Sequence, residues 1–163
     1  MKALVFTKYG PWSKSVVFSD SHPKPSASEM RCGELLVEVN AAALNPLDKI
    51  RYNGGLKHFV AEKKLPAVIG YDIAGTVIKV APATDAAENK TRFSIGDRVV
   101  ARMGDSKCGS VAEFAIVDAD LCAKIPDNLT YVEAASLALS GQTVLQAFRK
   151  GGVKEGDRVF VSG

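Results

Sequence analysis

Hydrophobic and polar residues alternate in short runs along roughly the first 128 residues, with turn signals between the runs. The clearest run is 34–44, in which every second residue from Leu35 to Ala43 is apolar. A period of two predicts a strand with one buried face. Further short strands are expected at 3–6, 15–18, 73–80, 99–103, 111–117 and 121–125. Strands of this length and spacing predict an all-β barrel or sandwich, with Gly70 and Gly75 at bulges or barrel corners.

The pattern changes character after residue 129. Thr130 and Glu133 have the spacing of a capping box, which predicts the start of a helix. A break at 140–141 and a glycine pair at 151–152 predict a first helix followed by a second. Residues 158–163 then form an apolar run that we interpret as a core strand. The order helix, helix, strand is typical of the beginning of an α/β domain.

A four-residue phrase, Gly-Asp-Arg-Val, occurs at 96–99 and again at 156–159. The surrounding residues show no repeat. We interpret both copies as the same turn leading into a strand, because glycine accepts a positive φ and aspartate binds neighbouring backbone N–H groups.

Composition narrows the class of protein. Of 163 residues, 47% are hydrophobic and 24% are charged, which excludes a disordered or collagen-like chain. Twenty-one basic and 18 acidic residues leave a net charge of +3, too small to indicate nucleic-acid binding. Apolar runs are too short for a membrane span, and the N-terminus lacks a secretory signal. Three cysteines without pairing motifs favour a reducing compartment, so a cytoplasmic location is expected.

Local motifs do not identify a reaction. The chain contains no nucleophile elbow, no adjacent cysteine and histidine, no complete GxGxxG and no phosphate-binding Walker loop. From the residues alone we therefore assign no catalytic residue and no metal ligand.

An ordered set of segments carries a resemblance. Ala-Ala-Leu-Asn-Pro-Leu-Asp at 42–48 is followed by Leu-Pro-Ala-Val-Ile-Gly-Tyr-Asp-Ile-Ala-Gly at 65–75, and then by 93–99, 109–114 and Glu-Ala-Ala at 133–135. This order resembles the medium-chain dehydrogenases/reductases, particularly their zinc-independent quinone oxidoreductase branch. The resemblance implies a mostly β fold: a GroES-like, partly open β-barrel that forms the catalytic domain over residues 1–128. It also implies that residues 129–163 contain the first helices and strand of an incomplete Rossmann domain.

The resemblance also bears on metal. Zinc-dependent members place a cysteine where Asn45 stands and Gly-His-Glu where residues 70–72 read Gly-Tyr-Asp. Asparagine and tyrosine are poor zinc ligands, so a chain of this kind is expected to work without zinc.

The activity implied is hydride transfer from NADPH to a small-molecule quinone or enone. The full-length form is expected to be a homo-oligomer, and this chain alone is expected to be inactive and to bind dinucleotide weakly. The alternative is a non-catalytic GroES-like barrel that serves as an interaction module.

Four residues match family positions at the substrate and nicotinamide cleft: Asn45, Asp48, Tyr52 and Tyr71. Each has a structural alternative. Asn45 could end a strand in an Asx-Pro turn, Asp48 could cap a helix, and Tyr71 could be a packed aromatic ring. The segment around Tyr52 aligns less well with the family.

Two further residues match cofactor-binding positions. Thr143 matches a threonine near the nicotinamide, with a helix-surface residue as the alternative. Gly163 matches the first glycine of the phosphate loop, whose remaining residues would follow it.

Overall fold

The computed structural model of the chain describes residues 1–58, 64–81, 92–104 and 109–162. Cys108, Gly163 and residues 82–91 lie outside the described residues. The strands are β1 (Ala3–Phe6), β2 (Val16–Ser19), β3 (Glu34–Ala43), β4 (Ala67–Val68), β5 (Asp72–Val80), β6 (Arg98–Arg102), β7 (Phe114–Asp118) and β8 (Cys122–Lys124). The α-helices are α1 (Trp12–Ser15), α2 (Pro46–Tyr52) and α3 (Tyr131–Gly151), and short 3-10 turns cover Ala27–Glu29 and Ala119–Leu121.

Two antiparallel sheets confirm the mostly β prediction. The smaller sheet has the order β2-β1-β4, and the larger has the order β7-β3-β5-β6-β8. β7 and β8 lie at opposite edges of the larger sheet and, among the described residues, do not pair with each other, so the barrel is open, as expected. A bridge between Ala3 and Ala112 connects the first strand to the segment before β7.

Alternating side chains of the larger sheet form the main core. Leu35, Val37, Val77, Val99 and Val117 are all almost completely inaccessible to solvent. Burial of a valine or leucine side chain contributes about 1.5–3 kcal/mol relative to exposure, so this cluster is the chief stabilising element. The period-two pattern of the sequence therefore identified the correct inward face.

One expected strand is displaced by one residue. Residues 15–18 were expected to be extended, but Ser15 ends the one-turn helix α1 and β2 begins at Val16. The Ser15 hydroxyl lies 2.8 Å from the carbonyl oxygens of both Gly10 and Pro11 and can donate to either. This local hydrogen bonding competes with the extended conformation.

A single helix replaces the predicted pair. Thr130 caps α3 as expected, since its hydroxyl accepts from Glu133 N–H at 3.2 Å and the Glu133 carboxylate accepts from Thr130 N–H at 2.8 Å. The expected break at 140–141 does not occur. A helical glycine costs only about 1 kcal/mol relative to alanine, and Ser140 donates its hydroxyl to the Ser136 carbonyl at 2.7 Å inside the helix. The helix ends at Gly152, which has a φ of 66°.

Helix α3 buries one narrow face of small residues. Ala134 and Ala135 pack with Ala74 and Ile125 of the barrel, and Ala138 is also buried. Other apolar residues of the helix are exposed, among them Val132, Leu137, Val144 and Leu145.

The expected final strand is not formed in the described residues. Residues 157–162 have no strand partner, and Phe160 is 91% exposed. An extended segment becomes a strand only when a neighbour satisfies its backbone groups, and in the part of the chain that the structure describes no strand lies beside these residues.

Candidate functional site

The site lies where β3 ends and α2 begins. Asn45 is extended, with a φ of −125°, because a residue that precedes proline avoids the helical region. Pro46 then occupies the first turn of α2, where its missing N–H costs nothing. The Asp48 carboxylate accepts from the Asn45 main-chain N–H at 2.7 Å, so Asp48 caps the helix as one of the two interpretations predicted.

Strand register brings a second carboxylate to the same place. Asp72 opens β5 and pairs with Ala43 of β3 on one side and Arg102 of β6 on the other. Because Asn45 follows Ala43 by two residues, its side chain reaches Asp72. The Asn45 Nδ2 atom donates to Asp72 Oδ2 at 3.0 Å.

Both carboxylates are almost completely buried, Asp48 at 3% and Asp72 at 0% exposure. Burial raises the pKa of Asp48 above its usual value, although the backbone N–H groups of Asn45 and Gly70 and the charge of Arg51 partly offset this. Burial likewise raises the pKa of Asp72, offset by the Asn45 amide, the backbone of Leu139 and the charge of Arg102. Two buried acids thus face two nearby guanidinium groups.

Tyr71 lies between those guanidinium groups. The guanidinium carbons (Cζ) of Arg51 and Arg102 lie 5.7 Å and 5.3 Å from the centroid of the Tyr71 ring. Arg51 is itself buried and donates to the Val68 carbonyl at 3.0 Å. Tyr71 is completely buried, so in this chain its ring is packed against the two cations.

The loop that precedes β7 packs against the site through Ser110. Ser110 is fully buried and donates its main-chain N–H to the Gly70 carbonyl at 3.2 Å. A Cβ at Gly70, whose φ is +102°, would lie 2.1 Å from the Ser110 hydroxyl oxygen. Gly70 is therefore required both by its backbone conformation and by this close contact. The Ser110 hydroxyl and the second oxygen of Asp72 meet no hydrogen-bond partner of good geometry among the described residues.

The other expected cleft residues lie elsewhere. Tyr52 packs with Phe6 and Ile69 in the core of the smaller sheet, and the Trp12 ring meets its edge with centroids 5.6 Å apart. Thr143 is exposed on α3 and donates its hydroxyl to the Leu139 carbonyl at 2.9 Å. Gly163 lies outside the described residues. Hydrogen bonds thus join Asn45 to Asp48 and Asp72, whereas Tyr52 packs in the core of the smaller sheet and Thr143 lies one turn of α3 beyond Leu139, whose backbone is near Asp72.

Sequence reasoning missed three members of this group: Asp72, Arg51 and Arg102. Asp72 did have a signal, since it is an acidic residue at the start of a buried strand and next to Tyr71. The two arginines gave no signal, because charged residues on a helix and an edge-proximal strand are ordinarily solvated.

Within the described ranges no three histidine, cysteine, aspartate or glutamate side chains are grouped so that they could hold a metal ion. The helices described here include none with the length and apolarity needed to cross a membrane.

The sequence of the chain is similar to those of known proteins. Residues 31–127 match the family model of the alcohol dehydrogenase GroES-like domain. The chain is 33% identical over 163 residues to a 2-methylene-furan-3-one reductase of Solanum lycopersicum, covering all of the chain and 40% of the relative. It is 35% identical over 149 residues to an NADPH-dependent alkenal/one oxidoreductase of Arabidopsis thaliana, covering 88% of the chain and 36% of the relative.

Solved structures show the same extent of likeness. The quinone oxidoreductase of Coxiella burnetii superposes with a TM-score of 0.79 at 35% identity, over 96% of this chain and 47% of that one. A mycobacterial protein in complex with NADPH superposes with a TM-score of 0.76, also at 35% identity, over 96% of this chain and 44% of that one. The chain therefore spans less than half the length of these similar proteins.

Proposed function

Because the chain belongs to the alcohol dehydrogenase GroES-like domain family, within the medium-chain dehydrogenases/reductases, we propose that it provides the acceptor-binding domain of a zinc-independent NADPH oxidoreductase. The acceptor is a quinone or an enone. The names of two relatives, a furanone reductase and an alkenal/one oxidoreductase, support a conjugated carbonyl acceptor, and the second name supports NADPH.

The observation that carries the proposal is the hydrogen bond between Asn45 and Asp72. The resemblance assigns a zinc-ligand cysteine to the position of Asn45 and a glutamate to that of Asp72. Here the Asn45 and Asp72 side chains form a hydrogen bond with each other. Tyr71, which stands where the resemblance assigns a zinc-ligand histidine, is a poor zinc ligand. An amide donor in this place suits a reaction that polarises a carbonyl by hydrogen bonding.

The chemistry divides between cofactor and protein. NADPH, when bound, supplies the hydride. The Asn45 amide has a second N–H beyond the one given to Asp72, and this N–H is suited to donate to the acceptor carbonyl or to a ribose hydroxyl. With an enone, hydride reaches the β-carbon and solvent supplies the proton to the α-carbon, which yields the saturated ketone and NADP⁺. Asp48 and Tyr71 shape the wall of the cleft.

Dinucleotide binding requires more than this chain. In Rossmann domains the pyrophosphate is held by the glycine-rich turn after the first strand, and this sequence contains only the first glycine, Gly163. We therefore propose that the 163-residue chain binds NADPH weakly and is inactive alone. Isothermal titration of the chain with NADPH should show no saturable binding at micromolar concentration. Micromolar affinity would contradict the proposal that this chain lacks the residues that hold the dinucleotide.

Activity is tested with the natural polypeptide that contains this chain. Oxidation of NADPH is followed with a quinone, an alkenal and a simple alcohol–aldehyde pair as acceptors. We expect turnover with the first two, and Asn45→Ala should lower kcat/KM about 100-fold through loss of a preorganised donor. Asn128→Ala, at an exposed asparagine before α3, is the matched control. Equal activity of both variants, or no turnover with any conjugated acceptor, would refute the proposal.

The alternative of a non-catalytic interaction module rests on the exposed apolar face of α3 and the exposed tail. A folded natural polypeptide without NADPH binding would favour it.

We further propose a homo-oligomer in the cytoplasm. Because some relatives are chloroplastic by name, family membership does not assign the compartment.

A further inference from the structure

Asp72 is a buried acid to which the proposed chemistry gives no direct part. It is completely inaccessible to solvent, and β5 presents it between Ala43 and Arg102. Removing a carboxylate from water costs several kcal/mol even when a cation lies nearby. An apolar residue of similar volume would pack there without that cost, so packing alone does not account for an acid.

What Asp72 does is visible in its contact with Asn45. An asparagine amide has two orientations of nearly identical shape, which differ only in the positions of oxygen and nitrogen. An ionised carboxylate can accept hydrogen bonds but not donate them, so only the orientation with Nδ2 toward Asp72 is stable. The observed distance of 3.0 Å between Nδ2 and Oδ2 fits that orientation.

The main chain of Asn45 is held as well. Its N–H donates to the Asp48 carboxylate at 2.7 Å, and Pro46 follows in the first turn of α2. With backbone and side chain both fixed, the Nδ2 group has one N–H engaged by Asp72 and one remaining. Preorganised donors of this kind accelerate reactions because no reorientation is needed as charge develops.

We propose that Asp72 is a positioning residue, which orients the Asn45 amide so that its second N–H faces an oxygen atom of the bound acceptor or cofactor. The role of that second N–H rests on the proposed function. The orientation itself does not, and the two parts are tested separately.

The orientation is tested by NMR on the 163-residue chain with ¹⁵N-labelled asparagine, the Asn45 signal being assigned by its loss in Asn45→Ala. We expect one of the two Nδ2 protons in the unaltered chain to be shifted downfield and slow to exchange. Asp72→Asn has an accepting oxygen but can also present its own N–H groups, so it should weaken this signature, whereas Asp72→Leu should abolish it. Both variants remove the same charge beside Arg102, so the comparison isolates the hydrogen bond.

The unaltered chain decides the matter even if Asp72→Leu does not fold. Nδ2 protons with the chemical shifts and the rapid solvent exchange of a fully solvated asparagine amide in this chain would overturn the proposal. So would a signature that persists in a folded Asp72→Leu chain.

The functional consequence is tested by a double-mutant cycle in the natural polypeptide. Asp72→Leu should lower kcat/KM about tenfold, as loss of a supporting side chain behind a ligand-binding residue commonly does, and Asp72→Asn should lower it by a smaller factor. In the Asn45→Ala background the same change should alter kcat/KM less than about twofold. A tenfold loss in both backgrounds would overturn the proposal, because Asp72 would then act independently of Asn45. Absence of activity in the unaltered protein would refute the proposed function but leave the NMR result decisive for the orientation.

Discussion

The two copies of Gly-Asp-Arg-Val, at 96–99 and 156–159, form the same turn but differ in the structure that follows it. Gly96 and Gly156 have φ values of +91° and +88°. Asp97 accepts from the N–H of Ser94 at 2.7 Å, and Asp157 accepts from the N–H of Lys154 at 2.8 Å. The turn predicted for both copies is therefore confirmed.

Beyond the turn the two copies differ in strand pairing and in burial. Arg98 begins β6, which pairs with β5 on one side and β8 on the other, and Val99 is 2% exposed. Arg158 leads into an unpaired segment, and Val159 is 46% exposed. The same four residues thus encode a turn by themselves, but they become a strand only where neighbouring strands satisfy the backbone.

A charge placed at the two valines gives the largest contrast. Val99→Asp puts an unpaired carboxylate into the main core, at a cost of several kcal/mol against a total stability of roughly 5–15 kcal/mol. We expect loss of cooperative folding. Val159→Asp should change the free energy of unfolding by no more than about 0.5 kcal/mol. Urea unfolding followed by circular dichroism measures both, and similar losses in the two variants would mean that the tail is part of the core.

Alanine at the two turn glycines gives an intermediate contrast. Neither added Cβ meets another atom within 4 Å, so the cost comes from the positive φ alone, about 1–2 kcal/mol. Gly96→Ala should lower the free energy of unfolding by that amount, because the turn must form for β6 to pair. Gly156→Ala should leave it unchanged, since nothing that unfolds cooperatively depends on the second turn. Equal destabilisation would show that the two turns are equally coupled to the fold.

The two aspartates give the smallest contrast, one that depends on pH. The Lys124 ammonium, 2.7 Å from Asp97, and the Ser94 N–H hold the pKa of Asp97 below its usual 3.8. A lowered pKa means that the charged form stabilises the fold above pH 3.8 and that this contribution disappears as pH falls through the folded-state pKa.

Asp97→Asn should therefore cost at most about 1 kcal/mol at neutral pH and nothing in strong acid, because the pair is partly solvated. Denaturation across this pH range measures the difference between the variant and the unaltered chain. Asp157→Asn is the matched control and should have no effect at any pH. A cost for Asp97→Asn that grows on acidification would contradict the assigned sign.

Much of the fold followed from local patterns. Alternation in 34–44 predicted β3 and its buried face, and the spacing of Thr130 and Glu133 predicted the start of α3. The break at 140–141 was wrong because a single helical glycine is a weak signal, costing only about 1 kcal/mol relative to alanine, and the Ser140 hydroxyl bonds to the Ser136 carbonyl within the helix. Elements with many consistent positions were thus predicted well, and single-residue signals were not.

The candidate site followed from the sequence only in part. Asn45 and Asp48 were expected at the cleft, and the capping contact between them is the structural alternative that was expected for Asp48. The contact of Asn45 with Asp72 was not foreseen, since 27 residues separate the two and only the pairing of Ala43 with Asp72 brings them together. Their roles in catalysis remain predictions.

By itself, the sequence determined what depends on neighbouring residues: the turns at Gly96 and Gly156, the caps of α2 and α3, and the alternation that marks a buried face. These features arise from φ preferences and from hydrogen bonds that span a few residues. Tertiary structure decided whether Val99 or Val159 would be buried, and which donor the carboxylate of Asp72 would hold. Both outcomes depend on partners far away in the chain, because backbone pairing and charge burial are satisfied only by groups that the fold brings into contact.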